Sequence, residues 1–130
     1  MDDCIFCKII HRKAPGFIIA ENDNVIVFVS RHNDPLVVSK KHIKDIYELD
    51  EQTGGEVFNE LTKTAKAAKK GLGCDGVYIT QANEPAAGQD VFHLHFHVYP
   101  KWNDKDKNEV KLTEDIERQI TMEKLKAAYE

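Results

Sequence analysis

Three histidines alternate with apolar residues in the segment Val91–Pro100. In an extended strand successive side chains point to opposite faces, so these imidazoles share one face at a spacing of about 6.7 Å. The opposite, apolar face must then be buried. Imidazole transfers protons near neutral pH, binds metals and attacks phosphorus. Spacing alone leaves three interpretations open: a catalytic strand, a metal-binding strand, and a half-buried strand that is merely rich in histidine. The histidines are His93, His95 and His97, and the apolar face comprises Phe92, Leu94, Phe96 and Val98.

Two further segments carry groups that suit a binding site. The loop Ala87–Asp90, just before the histidines, contains Gly88, which lets backbone N–H groups approach a ligand closely. Near the start of the chain, Cys4-x-x-Cys7 offers two thiols that either ligate a metal or pack as small apolar side chains. The odd number of cysteines in a chain expected to be cytoplasmic argues against a disulfide framework. We expect Cys74 to be an unpaired thiol near a helix end.

These motifs carry a family resemblance. They are Gly88-Gln89, the row His93-x-His95-x-His97, Cys4-x-x-Cys7 and Lys40-Lys41-His42-Ile43. Together they resemble the histidine triad superfamily of nucleotide hydrolases and transferases, from about residue 4 to residue 100. The resemblance implies that the middle histidine, His95, attacks the α-phosphorus of a nucleotide, and that His97 contacts the phosphate oxygens or the leaving group. It also implies a purine nucleotide or nucleotide conjugate as substrate and a homodimer as the assembly.

The resemblance also implies which residues bind the substrate: Asn83, Gly88, Gln89 and Asp90. Asp90 stands where many relatives have Ser or Thr, and a carboxylate there opposes a phosphate. We expect Asp90 to point away and to accept hydrogen bonds from the backbone N–H groups of Gly88 and Gln89. The alternative is that phosphate binds only when Asp90 is protonated, which would move the activity optimum to acid pH. The connection 31–35 is shorter than in relatives, and Ser30 stands where an acidic residue often holds the ribose.

A structural zinc ion is a further implication of the resemblance. Zinc-bearing members of the family bind the ion through two cysteines and two histidines, one of them the first histidine of the triad. In this sequence the corresponding residues are Cys4, Cys7, His42 and His93. Two thiolates and two imidazoles form a closed tetrahedral set that suits structural zinc. His93 would then tie the triad strand to the N-terminal segment instead of taking part in catalysis.

Hydrophobic periodicity predicts the elements that position these residues. Segments 17–21, 25–29, 36–38 and 77–81 are rich in β-branched residues, and with the triad strand they predict an antiparallel sheet of about five strands. An apolar stripe at helical spacing follows Asp50, a candidate N-cap, and Gly71 or Gly73 is suited to end this main helix. A second helix is predicted over Thr113–Tyr129, with Thr113 as its cap. The fold class is therefore α+β.

Composition bounds the remaining possibilities. At 130 residues we expect a single domain spanning 1–130. The net charge of −4 provides no general basic field for nucleic acid or for an anionic membrane surface. No apolar run approaches the length of a membrane span, and the start Met1-Asp2-Asp3 is unlike the basic start of a signal peptide. We therefore expect a cytoplasmic protein.

Three functions compete on this basis. The leading hypothesis is a nucleotide hydrolase or nucleotidyl transferase that opens a phosphoramidate or a dinucleoside polyphosphate through a nucleotidyl-His95 intermediate. The second is a nucleotide- or metal-binding module with little turnover, which Asp90 and the short 31–35 connection would favour. The third is a zinc-dependent hydrolase, which requires an open coordination position on the metal.

Overall fold

A computed structural model describes residues 3–130. Met1 and Asp2, which entered the argument against a signal peptide, lie outside the described residues. The helices and strands in chain order are α1 Ile5–Ile10, β1 Ile18–Glu21, β2 Val25–Val29, β3 Pro35–Ser39, α2 Glu51–Leu72, β4 Gly76–Thr80, β5 His95–Lys101 and α3 Asp115–Ala128. Short 3₁₀ turns occur at Ile46–Glu48, Pro85–Ala87 and Lys105–Asn108. No helix within residues 3–130 combines the length and the apolarity needed to cross a bilayer.

The five strands form one antiparallel sheet in the order β1-β2-β3-β5-β4. Because side chains alternate along β2 and β3, each strand supplies both faces of the sheet. Val25, Val27 and Val37 pack on one face with α2 and α3. Ile26, Phe28, Leu36 and Val38 pack on the other face with Phe6 and Ile9 of α1. The sheet therefore separates the two long helices from α1, and the α+β prediction is confirmed.

The main helix α2 begins and ends as its sequence predicts. The Asp50 side chain accepts a hydrogen bond from the backbone N–H of Thr53 at 2.8 Å, which satisfies a donor that the first helical turn leaves free. Gly73 ends the helix in the left-handed conformation with φ of 66°. Lys69 also donates to the carbonyl oxygens of Cys74 and Asp75 just beyond this end.

The C-terminal helix α3 begins later than predicted. Its N-cap is Glu114, in a capping box with Glu117, so the expectation of Thr113 as the cap is wrong. Thr113 instead donates from both its backbone N–H and its hydroxyl to the carbonyl oxygen of Arg31, at 2.9 Å each. These bonds tie the start of α3 to the connection between β2 and β3. Leu125, which is fully buried, anchors the helix in the main core.

The triad strand β5 begins at His95, so the predicted strand over residues 91–100 is too long at its start. Strand β3, its neighbour, ends at Ser39, and in the register Val38 lies opposite His95. The chain before His95 therefore has no strand to pair with, and the Leu94 N–H donates instead to the Ile43 carbonyl at 2.7 Å.

Alternation holds along β5 itself. Phe96 and Val98 are buried in the main core, whereas His95 and His97 lie on the side of α1. Phe92, which precedes the strand, is 45% exposed instead of buried as expected, and the Lys44 Nζ lies 5.8 Å from its ring centroid. The burial prediction fails at Phe92 because residues 91–94 are not part of the strand.

Candidate active site

His95 and His97 stand side by side on β5, and their ring centroids are 5.3 Å apart. Phe6 of α1 contacts the His95 ring edge-on at 5.0 Å and lies 6.0 Å from the His93 ring. His93 is fully buried, His95 is 8% exposed, and His97 is half-buried. The structure therefore brings His95 and His97 together at the surface of a cavity and places His93 beneath them.

An oxygen atom fixes one ring nitrogen of each triad histidine. His93 Nε2 lies 2.6 Å from the Ser39 carbonyl, His95 Nδ1 lies 2.7 Å from the His93 carbonyl, and His97 Nδ1 lies 2.8 Å from Asp34 Oδ2. Carbonyl and carboxylate oxygens only accept hydrogen bonds, so each of these nitrogens carries the proton. In the neutral ring the other nitrogen then holds a lone pair. For His95 that nitrogen is Nε2.

Burial also favours the neutral form of His95. Desolvation is the largest effect and lowers the pKa of His95, and the positive charge that His97 can carry lowers it by a smaller amount. The hydrogen bond to the His93 carbonyl, and then the carboxylates of Asp90 and Asp34, raise the pKa, but they do not offset desolvation. A neutral imidazole with a free Nε2 is a competent nucleophile at neutral pH.

A cavity of about 580 Å³ opens beside these two histidines. This volume lies within the range typical of small-molecule sites. One part of its wall is apolar, and charged side chains from three other segments of the chain also reach it. The apolar part comprises Phe6, Ile9, Phe28 and Leu36, and the charged residues are Arg31, Asp90 and Arg118. The cavity thus combines an apolar surface suited to a flat ring, an imidazole nitrogen with a free lone pair, and two arginines that can interact with an anion.

Asp90 faces the free ring nitrogen of His95. Its Oδ1 lies 3.9 Å from His95 Nε2, and its Oδ2 lies 3.6 Å from Arg31 Nη2. The N–H groups of Gly88 and Gln89, which were expected to hold this carboxylate aside, donate instead to the carbonyls of Pro85 and Glu84 at 3.0 and 3.1 Å. The expectation that Asp90 points away from the site is therefore wrong. Gly88 itself lines the cavity, with φ of 97°.

The amides of Gln89 and Asn83 are engaged by the protein. Gln89 Nε2 donates to the carbonyls of Lys44 and Val91 at 2.7 and 3.2 Å, and its Oε1 accepts from the Glu84 N–H at 2.7 Å. Asn83 Oδ1 accepts from the Ile46 N–H at 2.8 Å, and its Nδ2 donates to Gln81 Oε1 at 2.9 Å. In this arrangement both residues brace the loop before the triad. A direct contact with phosphate would require either amide to turn.

Asp34 is the site residue that sequence reasoning missed. It lies directly before β3, is 1% exposed, and accepts hydrogen bonds from His97 Nδ1 and from the Ser30 hydroxyl. The sequence Asn33-Asp34-Pro35 is typical of a turn, so its local pattern does not distinguish Asp34 from an ordinary turn residue. Asp34 lies two residues before Leu36, which is opposite His97 in the antiparallel register, so only the pairing of β3 with β5 reveals its role.

Cys4, Cys7, His42 and His93 form a cluster that fits a metal ion. Their ligand atoms all lie within 4.8 Å of one another. Cys7 Sγ lies 3.2 Å from His42 Nδ1 and 3.6 Å from His93 Nδ1, and Cys4 Sγ lies 3.5 Å from His93 Nδ1. Neighbouring ligand atoms around a tetrahedral zinc are separated by about 3.4–3.8 Å, given its bond lengths. The cluster therefore has nearly the dimensions of a filled site.

The protonation chemistry of the cluster agrees with this fit. His93 donates from Nε2 to the Ser39 carbonyl, which leaves the lone pair of Nδ1 toward the thiols. Burial lowers the pKa of His93 to about 4, so its ring is neutral at pH 7, the form in which imidazole binds a metal. Burial, and then the neighbouring Cys4 thiol, raise the pKa of Cys7 to about 11. A Cys7 thiolate at this position thus requires a cation beside it, and a zinc ion would provide one.

Comparison with known protein families identifies the class of proteins to which this histidine row, loop and cavity belong. Residues 11–104 match the family model described as the HIT domain, and the chain belongs to the histidine triad (HIT) family. An uncharacterized HIT-like protein of Saccharolobus solfataricus is 35% identical over 104 residues, which cover 77% of this chain and 75% of that protein.

Two further comparisons bear on the site. An adenosine 5'-monophosphoramidase of Schizosaccharomyces pombe is 30% identical over 106 residues, which cover 78% of this chain and 77% of that protein. The crystal structure of a zinc-bound histidine triad family protein from Mycobacterium smegmatis matches with a TM-score of 0.87 and 31% identity, over 98% of this chain and 93% of that one.

Proposed function

We propose that this protein is a nucleotide hydrolase or nucleotidyl transferase that acts at the α-phosphorus of a nucleoside phosphoramidate or a dinucleoside polyphosphate. The observation that carries the proposal is His95, whose Nδ1 is held by the His93 carbonyl at 2.7 Å and whose Nε2 borders the cavity. Membership of the family and the similarity to a monophosphoramidase support nucleotide chemistry. The apolar wall formed by Phe6, Ile9, Phe28 and Leu36 suits a purine ring.

The proposed reaction has two displacements. In the first, the Nε2 lone pair of His95 attacks the α-phosphorus, and the bond to the leaving group breaks with its electron pair. In the second, water or another acceptor attacks the same phosphorus, loses a proton, and returns the electron pair to His95. Splitting one displacement into two easier steps is the general advantage of covalent catalysis.

Turnover of a substrate panel by the wild type and by His95→Asn tests this proposal. The panel contains purine nucleoside phosphoramidates and dinucleoside polyphosphates, and the released nucleoside monophosphate is quantified. Asparagine keeps a polar side chain of similar reach but lacks the attacking nitrogen, so turnover should be abolished while nucleotide binding and folding persist. Residual activity within about tenfold of the wild type, where nucleophile removal normally costs far more, would exclude His95 as the nucleophile.

A binding module with little turnover is the second candidate, and one observation favours it. The Asp90 carboxylate lies 3.9 Å from His95 Nε2, where it opposes an incoming phosphate. Stoichiometric binding of a nucleoside monophosphate, with no turnover of any panel member, would select this candidate. A zinc-dependent hydrolase is disfavoured because four protein ligands leave no open position on a tetrahedral ion.

We propose zinc as a structural ion, one per chain, held by Cys4, Cys7, His42 and His93. The zinc-bound relative from Mycobacterium smegmatis and the dimensions of the cluster support this assignment. When bound, the ion would neutralise the two thiolates and tie α1 to the segment before β5.

The homodimer and the cytoplasmic location stay predictions. Tyr78 and Ile79 are exposed on β4, the last strand of the sheet, and such an exposed strand edge is suited to pairing with a second chain. Sedimentation of the purified protein measures the assembly directly.

A further inference from the structure

The turn between β2 and β3 encloses the Asp34 carboxylate. The Ser30 hydroxyl donates to Asp34 Oδ1, and the Ser30 N–H donates to the Asp34 carbonyl at 2.8 Å. The His32 N–H in turn donates to the Ser30 hydroxyl at 3.1 Å. Asp34 is 1% exposed. A buried carboxylate is stable only when its oxygens accept hydrogen bonds, and here Ser30 occupies one oxygen and His97 the other.

This carboxylate fixes the His97 ring. Asp34 Oδ2 lies 2.8 Å from Nδ1, so Nδ1 carries a proton, and Nε2 is the nitrogen available to the cavity that His97 lines. Tyr99 stacks on the same ring at 4.9 Å with an interplanar angle of 5°. The hydrogen bond sets the rotation and the tautomer of the ring, and the stacking sets its plane. His97 is thus held with one nitrogen directed to a carboxylate and the other to the site.

We propose that Asp34 is a positioning residue that makes His97 the proton carrier of the reaction. The inference rests on the proposed nucleotidyl transfer to His95. In the first step the bond between the α-phosphorus and the leaving group breaks, and the leaving group takes its electron pair together with the proton on His97 Nε2. In the second step water gives a proton to the His97 Nε2 lone pair as its oxygen bonds to phosphorus. His97 is therefore an imidazolium before the first step and again after the second, and Asp34 balances its positive charge in those two states.

Two substrates with different leaving groups separate this role from a structural one. An alkylamine leaves a phosphoramidate only with a proton, whereas p-nitrophenolate leaves a nucleoside p-nitrophenyl phosphate ester without one. For Asp34→Asn, the first turnover of the phosphoramidate should slow by about 100-fold or more, which is the scale of general acid catalysis. The burst of p-nitrophenolate should persist at a rate within about tenfold of the wild type, because that step does not draw on the proton.

Glu60→Gln is the matched control. Glu60 is another buried carboxylate, it accepts hydrogen bonds from the Tyr129 hydroxyl and the Asn22 amide, and it lies on α2, across the sheet from α1. Its substitution should leave both substrates at wild-type rates. Equal slowing of both substrates by Asp34→Asn, or wild-type rates with both, would overturn the proposal. If the wild type processes neither substrate, the proposed function fails. The tautomer of His97 then remains the test of whether Asp34 positions that ring.

The tautomer of His97 is measurable without activity. At alkaline pH, long-range ¹H–¹⁵N spectra of the wild-type protein should show the His97 proton on Nδ1. They should show a mixture of tautomers in Asp34→Asn, because an amide offers either a donor or an acceptor to that nitrogen. A proton on Nε2 in the wild type would overturn the assignment whether or not the variant folds.

Discussion

Replacing Asp90 with asparagine should strengthen the binding of a nucleoside monophosphate. Asp90 Oδ1 lies 3.9 Å from His95 Nε2. A phosphorus within attacking reach of Nε2, about 3–3.5 Å away, therefore brings its oxygens to roughly 4 Å from this carboxylate. At 4 Å two unit charges of the same sign repel by about 4 kcal/mol at an effective dielectric of 20 and by about 1 kcal/mol in water.

Solvent screening selects the lower part of that range. The Asp90 side chain is 59% exposed, so a repulsion of about 1–2 kcal/mol is appropriate, and its removal corresponds to a gain in affinity of about fivefold to thirtyfold. The substitution also releases Arg31, whose Nη2 lies 3.6 Å from the carboxylate, to interact with the phosphate. Both effects act in the same direction.

Calorimetric titration of the wild type and of Asp90→Asn with adenosine monophosphate measures this gain. The difference between the two proteins should shrink as salt is raised, because the interaction is solvent-exposed. Asp23→Asn, in the exposed turn between β1 and β2, removes the same formal charge and should leave the affinity unchanged. An unchanged affinity in Asp90→Asn, or an equal gain in Asp23→Asn, would refute the placement of Asp90 against the phosphate.

Two further predictions concern the scaffold. The wild type purified without chelator should contain one zinc per chain by elemental analysis, and the double variant Cys4→Ala/Cys7→Ala should contain none. Loss of the ion should lower the free energy of unfolding by several kcal/mol at most, well below the values for peptides that fold only with metal. Zinc retained by the double variant would contradict the assignment. Hydrogen bonds from Arg12 and then Lys40 lower the pKa of Glu21, so the folded state binds its proton less readily than the unfolded chain, whose glutamate pKa is about 4.3. The stability that these hydrogen bonds contribute is present above the unfolded pKa of Glu21 and is lost as pH falls through its folded pKa. Glu21→Gln should therefore lower the urea midpoint at neutral pH but not in strong acid. An equal loss at both pH values would assign the effect to packing.

The sequence predicted those parts of the site that follow from local periodicity. Alternation along residues 95–99 assigns Phe96 and Val98 to the core and His95 and His97 to the opposite face, because a strand has only two faces. The predicted order of strands and helices is confirmed for the same reason: each element carries its own apolar pattern. The Cys4, Cys7, His42 and His93 grouping came from the resemblance, and the structure brings these four side chains together.

The missed features depend on contacts between distant parts of the chain. Asp34 looks like a turn residue until β3 pairs with β5 and brings it to His97. The Gln89 amide donates to the Lys44 carbonyl, and the Asn83 amide accepts from the Ile46 N–H. No local sequence pattern reveals either partner. Phe92 is exposed because β5 begins only where β3 can pair with it. In each case tertiary pairing, rather than local preference, determined the outcome.

Chemical trapping of the intermediate tests the central claim most directly. The protein is mixed with a purine nucleoside phosphoramidate labelled at the α-phosphorus, quenched in alkali within the first turnover, digested, and analysed by mass spectrometry. A nucleotidyl group should be attached to His95, in the peptide that contains His93 and His97, and it should be absent from His95→Asn. A nucleotidyl group on any other residue, or steady turnover during which no labelled protein accumulates or can be trapped at any time, would contradict the nucleotidyl-His95 mechanism.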